Sequence, residues 1–441
     1  MRTLPRRVAA DPRGTGPEKS SARAEVAPVV AAPQVQWPGS PLLDAPETAR
    51  VLHSTWSGDP AVVVRSPPGA GKTRLVVLLA TALGHRADLR VGVAAQTRAQ
   101  AIQIAERLGA VSDRARLLWA TNDQKNRPTI EGVPVVFGAK ETFSPDHGGC
   151  VVATTARWLS GDPAKLGCDV LIVDEAWQAT YADLGALGAF SGSVVCVGDP
   201  GQIDPVVTGR TGRWRRSPTG PHLPAPDALR AAHGYAIETV ALRHTWRLGP
   251  ETTALIQPVF YSDLPFTSKR PDEKVIDPSG VSVPEVAHRL VPVTGGIGDA
   301  GLADAAVDRV RALLGATLRT AAGDRDLVGG DVAVVCPHTQ QVGSIRALLA
   351  DEPDVLVGTA NQMQGLERAA VVALHPLAGY RDLTEFALDK GRACVTLSRH
   401  RAHLTVVMDS QTPDVLRRSD DVDGVTRHRL LCEALAGSPA M

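Results

Sequence analysis

The amino-acid sequence predicts an α/β fold made of two tandem domains, each with a parallel β-sheet flanked by helices. Short runs of β-branched residues alternate with stretches of helical spacing, which is typical of βαβ units. This alternation occurs before and after about residue 240, and Gly- and Pro-rich segments such as 208–226 lie between the two series. A chain of 441 residues has room for two or three domains, so its length agrees with this fold class.

The first series predicts the first domain, residues 41–240. We expect its strands at 61–66, 89–95, 133–138, 150–155, 169–175 and 193–199, and its helices at 73–84 and 98–110. Residues 1–40 are rich in Pro, Ala, Arg and Ser and lack apolar periodicity, which predicts a disordered tail. A short irregular insertion is expected near 119–149.

The second series predicts the second domain, residues 241–415, followed by a C-terminal tail or helix at 416–441. We expect its strands at 288–295, 331–337, 354–360, 369–376 and 403–410, and its helices at 303–318 and 339–352. The spacing in the helical stretches and the β-branched character of the strands follow the same pattern as in the first half.

Composition restricts the class of protein. Lys+Arg and Asp+Glu both number 47, so a nucleic-acid partner would need a local basic groove rather than a global positive field. No pair of cysteines has the CxxC spacing of a zinc site, and we expect the six cysteines to be buried in a reducing cytoplasm. No apolar run reaches 18 residues, and the N-terminus lacks the apolar core of a signal peptide. We therefore expect a cytoplasmic protein without a membrane partner.

Residues 66–73, with the sequence SPPGAGKT, predict a Walker A phosphate loop. The segment lies between a predicted strand and a predicted helix, as this loop requires. Its glycines allow backbone N–H groups to surround the phosphates of ATP, Lys72 would reach the β- and γ-phosphates, and Thr73 would ligate Mg²⁺. The residues expected to bind the nucleotide here are Pro68, Gly69, Ala70, Gly71, Lys72, Thr73 and Arg74.

Asp174 and Glu175 end the apolar run LIVDE, about 100 residues after the phosphate loop. A buried strand delivers both carboxylates to the carboxyl edge of the sheet, where α/β folds bind ligands. Asp174 is expected to hold Mg²⁺, and Glu175 is expected to be the general base that polarises the attacking water.

Further motifs resemble those of superfamily 1 helicases, and the resemblance extends over about residues 60 to 410. DEAWQ at 174–178 resembles the DEAxQ form of motif II, which is typical of the branch that contains RNA-surveillance and Okazaki-fragment helicases. GDPGQ at 198–202 resembles motif III, AQTR at 95–98 resembles motif Ia, and VTLSRHR at 395–401 resembles motif VI. WR at 246–247, PHTQQ at 337–341 and QMQGLE at 362–367 resemble other second-half motifs.

The resemblance implies two RecA-like domains that close on one ATP in the cleft between them. By resemblance, Gln202 senses the γ-phosphate, Arg247 contacts it, and Arg399 is an arginine finger, so the implied catalytic residues are Lys72, Glu175, Gln202, Arg247 and Arg399. Trp246 would stack on adenine, and Gln341 and Glu367 belong to motifs that line the nucleotide site. The residues implied to contact a nucleic-acid strand are Thr97, Arg98, Thr154, Thr155 and Thr359.

The loop at 210–216 interleaves four arginines with Trp214 and has no counterpart in the family motifs. Such a loop can supply charge and a stacking face to a single strand, or it can be a solvated surface loop with a partly buried Trp214. Both interpretations stay open from the sequence.

Together these features predict an ATP-hydrolysing translocase or helicase that moves on single-stranded DNA or RNA. The stretches at 119–149 and 262–300 are short, so we expect a minimal motor core that depends on a protein partner for strand separation or targeting. The alternative is a nucleotide-gated ATPase subunit of a larger assembly that does not unwind nucleic acid by itself.

Overall fold

The computed structural model describes residues 37–144, 146–420 and 422–441. The predicted disordered tail, 1–40, lies outside the described residues except for its last four positions. There, Ser40 begins the short 3₁₀ helix Ser40–Asp44, and Leu42 is buried in the core of the first domain.

The first domain contains an eight-stranded sheet in which every pair of neighbouring strands is parallel. The strand order is β4-β3-β5-β2-β6-β7-β1-β8. The strands are β1 Ala61–Arg65, β2 Arg90–Ala95, β3 Ala115–Leu118, β4 Val135–Val136, β5 Gly149–Thr154, β6 Cys168–Asp174, β7 Ser191–Gly198 and β8 Glu238–Ala241. The helices are α1 Pro46–Trp56, α2 Lys72–Arg86, α3 Arg98–Gly109, α4 Thr155–Leu159, α5 Pro163–Leu166, α6 Tyr181–Leu187 and α7 Ala225–His233.

Alternation along the strands explains why helices cover both faces of this sheet. In β1, Val62 and Val64 face the core cluster that α1, α2 and α3 also form. Val63 faces the opposite cluster, which includes Trp158 of α4 and Leu184 of α6. A strand that buries both faces must be apolar at every position, which is why β1 reads as a continuous AVVV run.

The strand order brings three motif-bearing strands together. β7 lies between β6 and β1, with Asp174 paired to Val197 and Arg65 paired to Gly198. Because parallel strands end at the same edge of a sheet, the loops after β1, β6 and β7 meet at the carboxyl edge. This edge carries the phosphate loop, the Asp174–Glu175 pair and the GDPGQ motif.

A short connecting region leads from β8 into the second domain. It contains β9 His244–Thr245, α8 Pro250–Phe260, β10 Thr267–Ser268 and β11 Lys274–Ile276, with β9 and β10 paired in parallel. α8 packs in the core of the second domain through Leu255, Ile256 and Phe260.

The second domain contains a five-stranded parallel sheet with the order β12-β18-β17-β15-β16. The strands of this sheet are β12 Val286–Val291, β15 Val332–Cys336, β16 Leu356–Thr359, β17 Arg368–Leu374 and β18 His400–Asp409. A β-hairpin outside the sheet consists of β13 Thr317–Thr320 and β14 Gly323–Asp326. The helices of this domain are α9 Ala300–Leu314, α10 Thr339–Leu348, α11 Lys390–Leu397, α12 Thr412–Arg418 and α13 Asp423–Ala436. The two parallel sheets in tandem, each flanked by helices, confirm the predicted α/β class.

The sequence prediction was wrong about the end of the helix at 303–318. The helix α9 ends at Leu314 with Gly315 as its C-cap residue, and Thr317 begins β13. β13 pairs antiparallel with both β11 and β14, which makes a three-stranded sheet beside the main one. Gly315 ends the helix because glycine disfavours helix, and the β-branched Thr317 and Thr320 suit the strand that follows.

The sequence prediction was also wrong about the extent of the strand at 133–138. β4 contains only Val135 and Val136. Pro134 lacks the N–H needed for strand pairing, and Gly138 precedes the 3₁₀ helix Ala139–Glu141. β4 is an edge strand, so it is paired on one side only.

The C-terminal helices belong to the core of the second domain. Leu416 of α12 and Val425, Leu431 and Leu435 of α13 lie in the same apolar cluster as β18 and α8. All six cysteines are buried and free. Among the described residues, no helix has the length and apolar character that crossing a membrane would require.

Buried histidines in the second domain predict an acid-sensitive fold. Burial lowers the pKa of His403 to about 3 and the pKa of His428 to about 4, from an ordinary value of 6.5. Below pH 6.5 the unfolded chain therefore binds more protons than the folded chain, so stability is full above pH 6.5 and falls as the pH falls towards 4. We expect the free energy of unfolding to decrease by about 2–3 kcal/mol for each of these two histidines across this window.

Urea unfolding at a series of pH values measures this dependence. His428→Leu should flatten the acid slope, whereas His53→Leu, at an exposed position of α1, should leave it unchanged. An unchanged slope in His428→Leu would show that another group is responsible.

Candidate nucleotide site and nucleic-acid face

The phosphate loop adopts a conformation that only glycine permits without strain. Gly69 and Gly71 have φ values of 72° and 84°. Gly71 precedes α2, and no side chain caps the N-terminus of that helix. Its first N–H groups and the positive end of the helix dipole are therefore available to an anion, as a phosphate site requires.

Thr245 holds the phosphate loop in place. Its buried hydroxyl donates to the carbonyl of Pro68 at 2.7 Å, and the N–H of Trp246 donates to the carbonyl of Gly69 at 2.9 Å. A Cβ atom on Gly69 would lie 2.4 Å from the Cβ of Arg247, so a side chain at position 69 would displace one of the two segments. The sequence analysis did not single out Thr245, although its position directly before Trp246 and Arg247 is a signal that could have identified it.

Asp174 and Glu175 end β6 beside the phosphate loop. Asp174 is 4% exposed, and its Oδ1 has no hydrogen-bond partner among the described residues. Burial, together with the charge of Glu175, raises the pKa of Asp174 to about 7. A buried carboxylate oxygen without a donor is unfavourable unless a cation reaches it, so these residues fit a divalent metal ion held by oxygen ligands.

Lys72 and Glu175 contact each other across the site. Their Nζ and Oε1 atoms are 3.5 Å apart, and both side chains are mostly buried. Glu175 has a φ of 50°, a left-handed conformation that is rare for a residue with a side chain and is often found at functional sites. Lys72 therefore neutralises Glu175 in this structure, and Thr73 follows it at the start of α2.

Two arginines, Arg247 of the connecting region and Arg399 of the second domain, lie near the same region. Arg247 Nε donates to Glu367 Oε2 at 2.5 Å, and its Nη1 donates to the carbonyl of Ser398 at 3.5 Å. Arg399 is 2% exposed, and its Nε has no partner within the described part of the chain. Burial and the neighbouring charge of Arg247 lower the pKa of Arg399 to about 10. Two adjacent guanidinium groups with spare donors fit an anionic ligand.

Gln202 lies at the contact between the two domains. Its Nε2 donates to Asp199 Oδ2 at 2.9 Å, and its Oε1 accepts from Gln364 Nε2 at 3.4 Å. Asp199 belongs to the first domain and Gln364 to the second. Gln364 was not among the expected site residues, although it lies in the QMQGLE segment that carries Glu367.

Other nucleotide-site candidates lie farther from these contacts. Trp246 is 57% exposed, with Lys269 Nζ 6.0 Å from its ring centroid, so its face is accessible. Ala70 is half-buried and Arg74 is exposed. Gln341 donates to the carbonyl of Ile297 at 2.8 Å and accepts from the N–H of His338 at 3.1 Å, which are contacts within the second domain.

Four of the six nucleic-acid candidates lie at the carboxyl ends of the neighbouring strands β2 and β5. Thr97 caps α3, and Thr154 caps α4. Arg98 pairs with Asp123 at 2.6 Å and stacks over Trp119, and it lines a cleft of about 190 Å³ together with Thr154. Thr155 is buried, and its hydroxyl donates to the carbonyl of Ala95 at 3.3 Å, so its hydroxyl has an internal partner.

The other two nucleic-acid candidates are separate from this group. Thr359 ends β16 and lines a cleft of about 340 Å³ that also contains His338 and Phe386. Trp214 is half-buried, with Arg213 stacked 3.7 Å from its ring centroid and His222 6.4 Å away on the same loop. The known contacts of Trp214 are therefore within its own loop.

Comparisons with known proteins match both halves of the chain. A sequence model of an AAA domain matches residues 46–219, and a second AAA-domain model matches residues 301–411. DNA-binding protein SMUBP-2 of Rattus norvegicus is 23% identical over 286 residues, which cover 59% of this chain and 27% of that protein. DNA polymerase alpha-associated DNA helicase A of Schizosaccharomyces pombe is 36% identical over 85 residues, or 19% of this chain and 13% of that protein.

Solved structures align over more of the chain but at lower identity. The structure of Arterivirus nonstructural protein 10 (helicase) with DNA aligns with a TM-score of 0.45 and 15% identity, covering 82% of this chain and 63% of that one. The match to the curated SMUBP-2 relatives extends over only about a quarter of their length.

Proposed function

We propose that this chain is a superfamily 1 helicase of the branch that contains the RNA-surveillance and Okazaki-fragment enzymes, and that it hydrolyses ATP and uses that reaction to move on single-stranded nucleic acid. The observation that carries the proposal is the meeting of groups from both domains at one edge. Arg247 lies against Gly69 of the phosphate loop, its Nη1 donates to the carbonyl of Ser398, and the next residue of the second domain is Arg399. Such a site is complete only when the two domains are together.

The arginines favour a phosphate ligand over a purely structural role. Arg399 is buried with an unsatisfied Nε, and Arg247 lies close enough to lower its pKa. Arg247 is paired with Glu367, whereas the buried Arg399 has no carboxylate partner among the described residues, so an anionic ligand would compensate the charge of Arg399. The γ-phosphate of ATP is the anion that a neighbouring phosphate loop would supply.

In the proposed reaction each residue has a distinct role. Lys72 would leave Glu175 for the β- and γ-phosphates, which frees the Glu175 carboxylate to accept a proton from the attacking water. Gln202 would orient that water and sense the γ-phosphate, and Arg399 would stabilise the charge that develops on the transferred group.

Asp174 and Thr73 would hold Mg²⁺, in keeping with the buried and unsatisfied oxygen of Asp174. A bound Mg²⁺ neutralises phosphate charge and orients the nucleotide. Trp246 offers an accessible ring for stacking on adenine.

A nucleic-acid strand would lie along the carboxyl edges of the two sheets. Arg98 and Thr154 line the cleft on the first domain, Thr97 precedes Arg98 as the cap of α3, and Thr359 lines the cleft on the second domain. The chain has zero net charge, so such binding depends on local contacts. A relative named as a DNA-binding protein and another named as a DNA helicase support this role over a nucleotide-gated subunit.

ATP turnover with and without single-stranded DNA or RNA tests the proposal. We expect stimulation by at least one of these polymers and loss of turnover in Lys72→Ala, because the phosphates lose their cation. Lys165→Ala, at an exposed position of α5, is the matched control and should turn over ATP as the wild type does. An ATP turnover rate that no DNA or RNA changes would favour the nucleotide-gated subunit. We would then expect that subunit to act through a protein partner.

A further inference from the structure

We propose that Tyr261 is a positioning residue for ATP hydrolysis, because its phenol fixes the Asp199 carboxylate that in turn orients Gln202. The inference rests on the proposed function, since Gln202 acts only if ATP is hydrolysed. Tyr261 directly follows α8, is 1% exposed and lies in the core cluster of the second domain.

The Tyr261 hydroxyl forms a hydrogen bond between the second domain and the first. It donates to Asp199 Oδ1 at 2.8 Å and lies 3.1 Å from the Sγ atom of Cys394 in α11. Burial and the negative charge of Asp199 raise the pKa of Tyr261 well above its ordinary value, so the phenol keeps its proton. One buried hydroxyl thus joins the GDPGQ motif to the helix that leads to Arg399.

Asp199 depends on this hydroxyl because it is 1% exposed and cannot be solvated by bulk water. Its Oδ1 also accepts from the N–H of Gly201 at 2.8 Å, and its Oδ2 accepts from Gln202 Nε2. Of these three donors, only the Tyr261 phenol belongs to the second domain. Removing it leaves a buried carboxylate oxygen with one donor fewer, which favours a shift of the carboxylate and of the Gln202 amide bound to it.

Two glycines allow the close contact that this arrangement needs. A Cβ atom on Gly201 would lie 2.3 Å from the Tyr261 ring, so any side chain there would displace the phenol. A Cβ atom on Gly391 would lie 2.5 Å from the Cα of Ile203. The start of α11 therefore rests directly on the backbone beside Gln202, and Lys390 Nζ donates to the carbonyl of Pro200 at 3.4 Å.

The geometry makes the position of Gln202 dependent on both domains. When the domains are together, Tyr261 and Gln364 hold Gln202 from the second domain, the first through Asp199 and the second directly. When they separate, both contacts are lost, and the Gln202 amide is free to leave the orientation that hydrolysis needs. Tyr261 would thus restrict hydrolysis to the closed arrangement without touching ATP.

The test compares Tyr261→Phe with Tyr235→Phe, which removes a hydroxyl from a fully exposed tyrosine. For Tyr261→Phe we expect kcat for ATP to fall about 10–100-fold, with KM within about threefold of wild type, because misplacing a reacting group by a fraction of an ångström has this effect. The affinity for ADP should be unchanged, whereas the affinity for ADP with aluminium fluoride, a mimic of the transferring phosphate, should fall at least tenfold. Tyr235→Phe should match the wild type in all four measurements.

Two outcomes would overturn the inference. One is a Tyr261→Phe enzyme whose kcat and affinity for ADP with aluminium fluoride both stay within about twofold of wild type. The other is a loss of ADP affinity that parallels a lower unfolding temperature, since this would identify a structural role only. A wild-type chain that hydrolyses no ATP would refute the proposed function instead. The affinity for ADP with aluminium fluoride would then still show whether Tyr261 positions the groups that surround the γ-phosphate.

Asp199→Asn provides a second variant that tests the same contact from the other side. It keeps the shape of the side chain but removes the charge that the phenol stabilises. In a double-mutant cycle the two substitutions should not be additive, because both remove the same contact. Additive losses in kcat would show that Tyr261 acts independently of Asp199.

Discussion

Replacing Arg399 with alanine is expected to lower the ATP turnover number by about 10³–10⁵, the effect typical of removing an arginine finger. Arg399 is the buried second-domain cation whose Nε lacks a partner among the described residues. Charge moves towards the leaving phosphate during transfer, and a guanidinium held ready for it needs little reorganisation. The alanine variant should still bind ADP, because the phosphate loop belongs to the first domain.

Single-turnover and steady-state assays of the same preparations measure this loss. Arg311→Ala, which removes a half-exposed arginine of α9, is the matched control and should keep wild-type turnover. Arg399→Lys should recover little of the lost activity, since an ammonium group cannot bind two phosphate oxygens in the fork geometry of a guanidinium. Wild-type turnover in Arg399→Ala would contradict a site shared by the two domains.

Replacing Glu175 with glutamine is expected to lower turnover by about 10²–10⁴, the contribution typical of a general base. The amide cannot accept the proton of the attacking water, although it occupies almost the same volume. ATP affinity should stay the same or rise, because Lys72 loses the carboxylate that it contacts at 3.5 Å in this structure. Turnover should therefore fall while the affinity for ATP stays the same or rises.

Isothermal titration with ATP and a phosphate-release assay separate these two effects. Glu131→Gln, at an exposed position of the first domain, is the control for the chemical change and should behave as the wild type. A Glu175→Gln variant that binds ATP weakly but hydrolyses it at the normal rate when saturated would show that Glu175 is a binding residue rather than the base.

The sequence was most informative where function depends on neighbours along the chain. The phosphate loop could be predicted because a strand, a Gly-rich turn and a helix follow one another, and the structure has β1, the loop and α2 in that order. The proximity of Lys72 and Glu175 could also be predicted, because the loops that follow parallel strands lie at one edge of the sheet. The overall α/β class followed from the same periodic patterns.

The sequence was least informative where contacts join distant segments. Tyr261 and Asp199 are separated by 62 positions, and no local pattern marks a buried phenol as the partner of a carboxylate in another domain. Gly391 has a φ that any residue could adopt, so its requirement comes only from the backbone at Ile203. The hairpin of β13 and β14 was missed because the helical spacing of apolar residues continues past Gly315 in the sequence. In the structure the helix α9 ends at Leu314, and β13 begins at Thr317.

The attachment of the phosphate loop to residues 245–247 has a mechanical consequence. The segment that connects the two sheets is hydrogen-bonded to Pro68 and Gly69 of the phosphate loop. A rotation of the second domain would therefore have its pivot beside this loop. Displacement in a rotation grows with distance from the pivot. A small movement around the phosphate loop would then produce a larger displacement at the edge of the second sheet that lies farthest from the connecting segment.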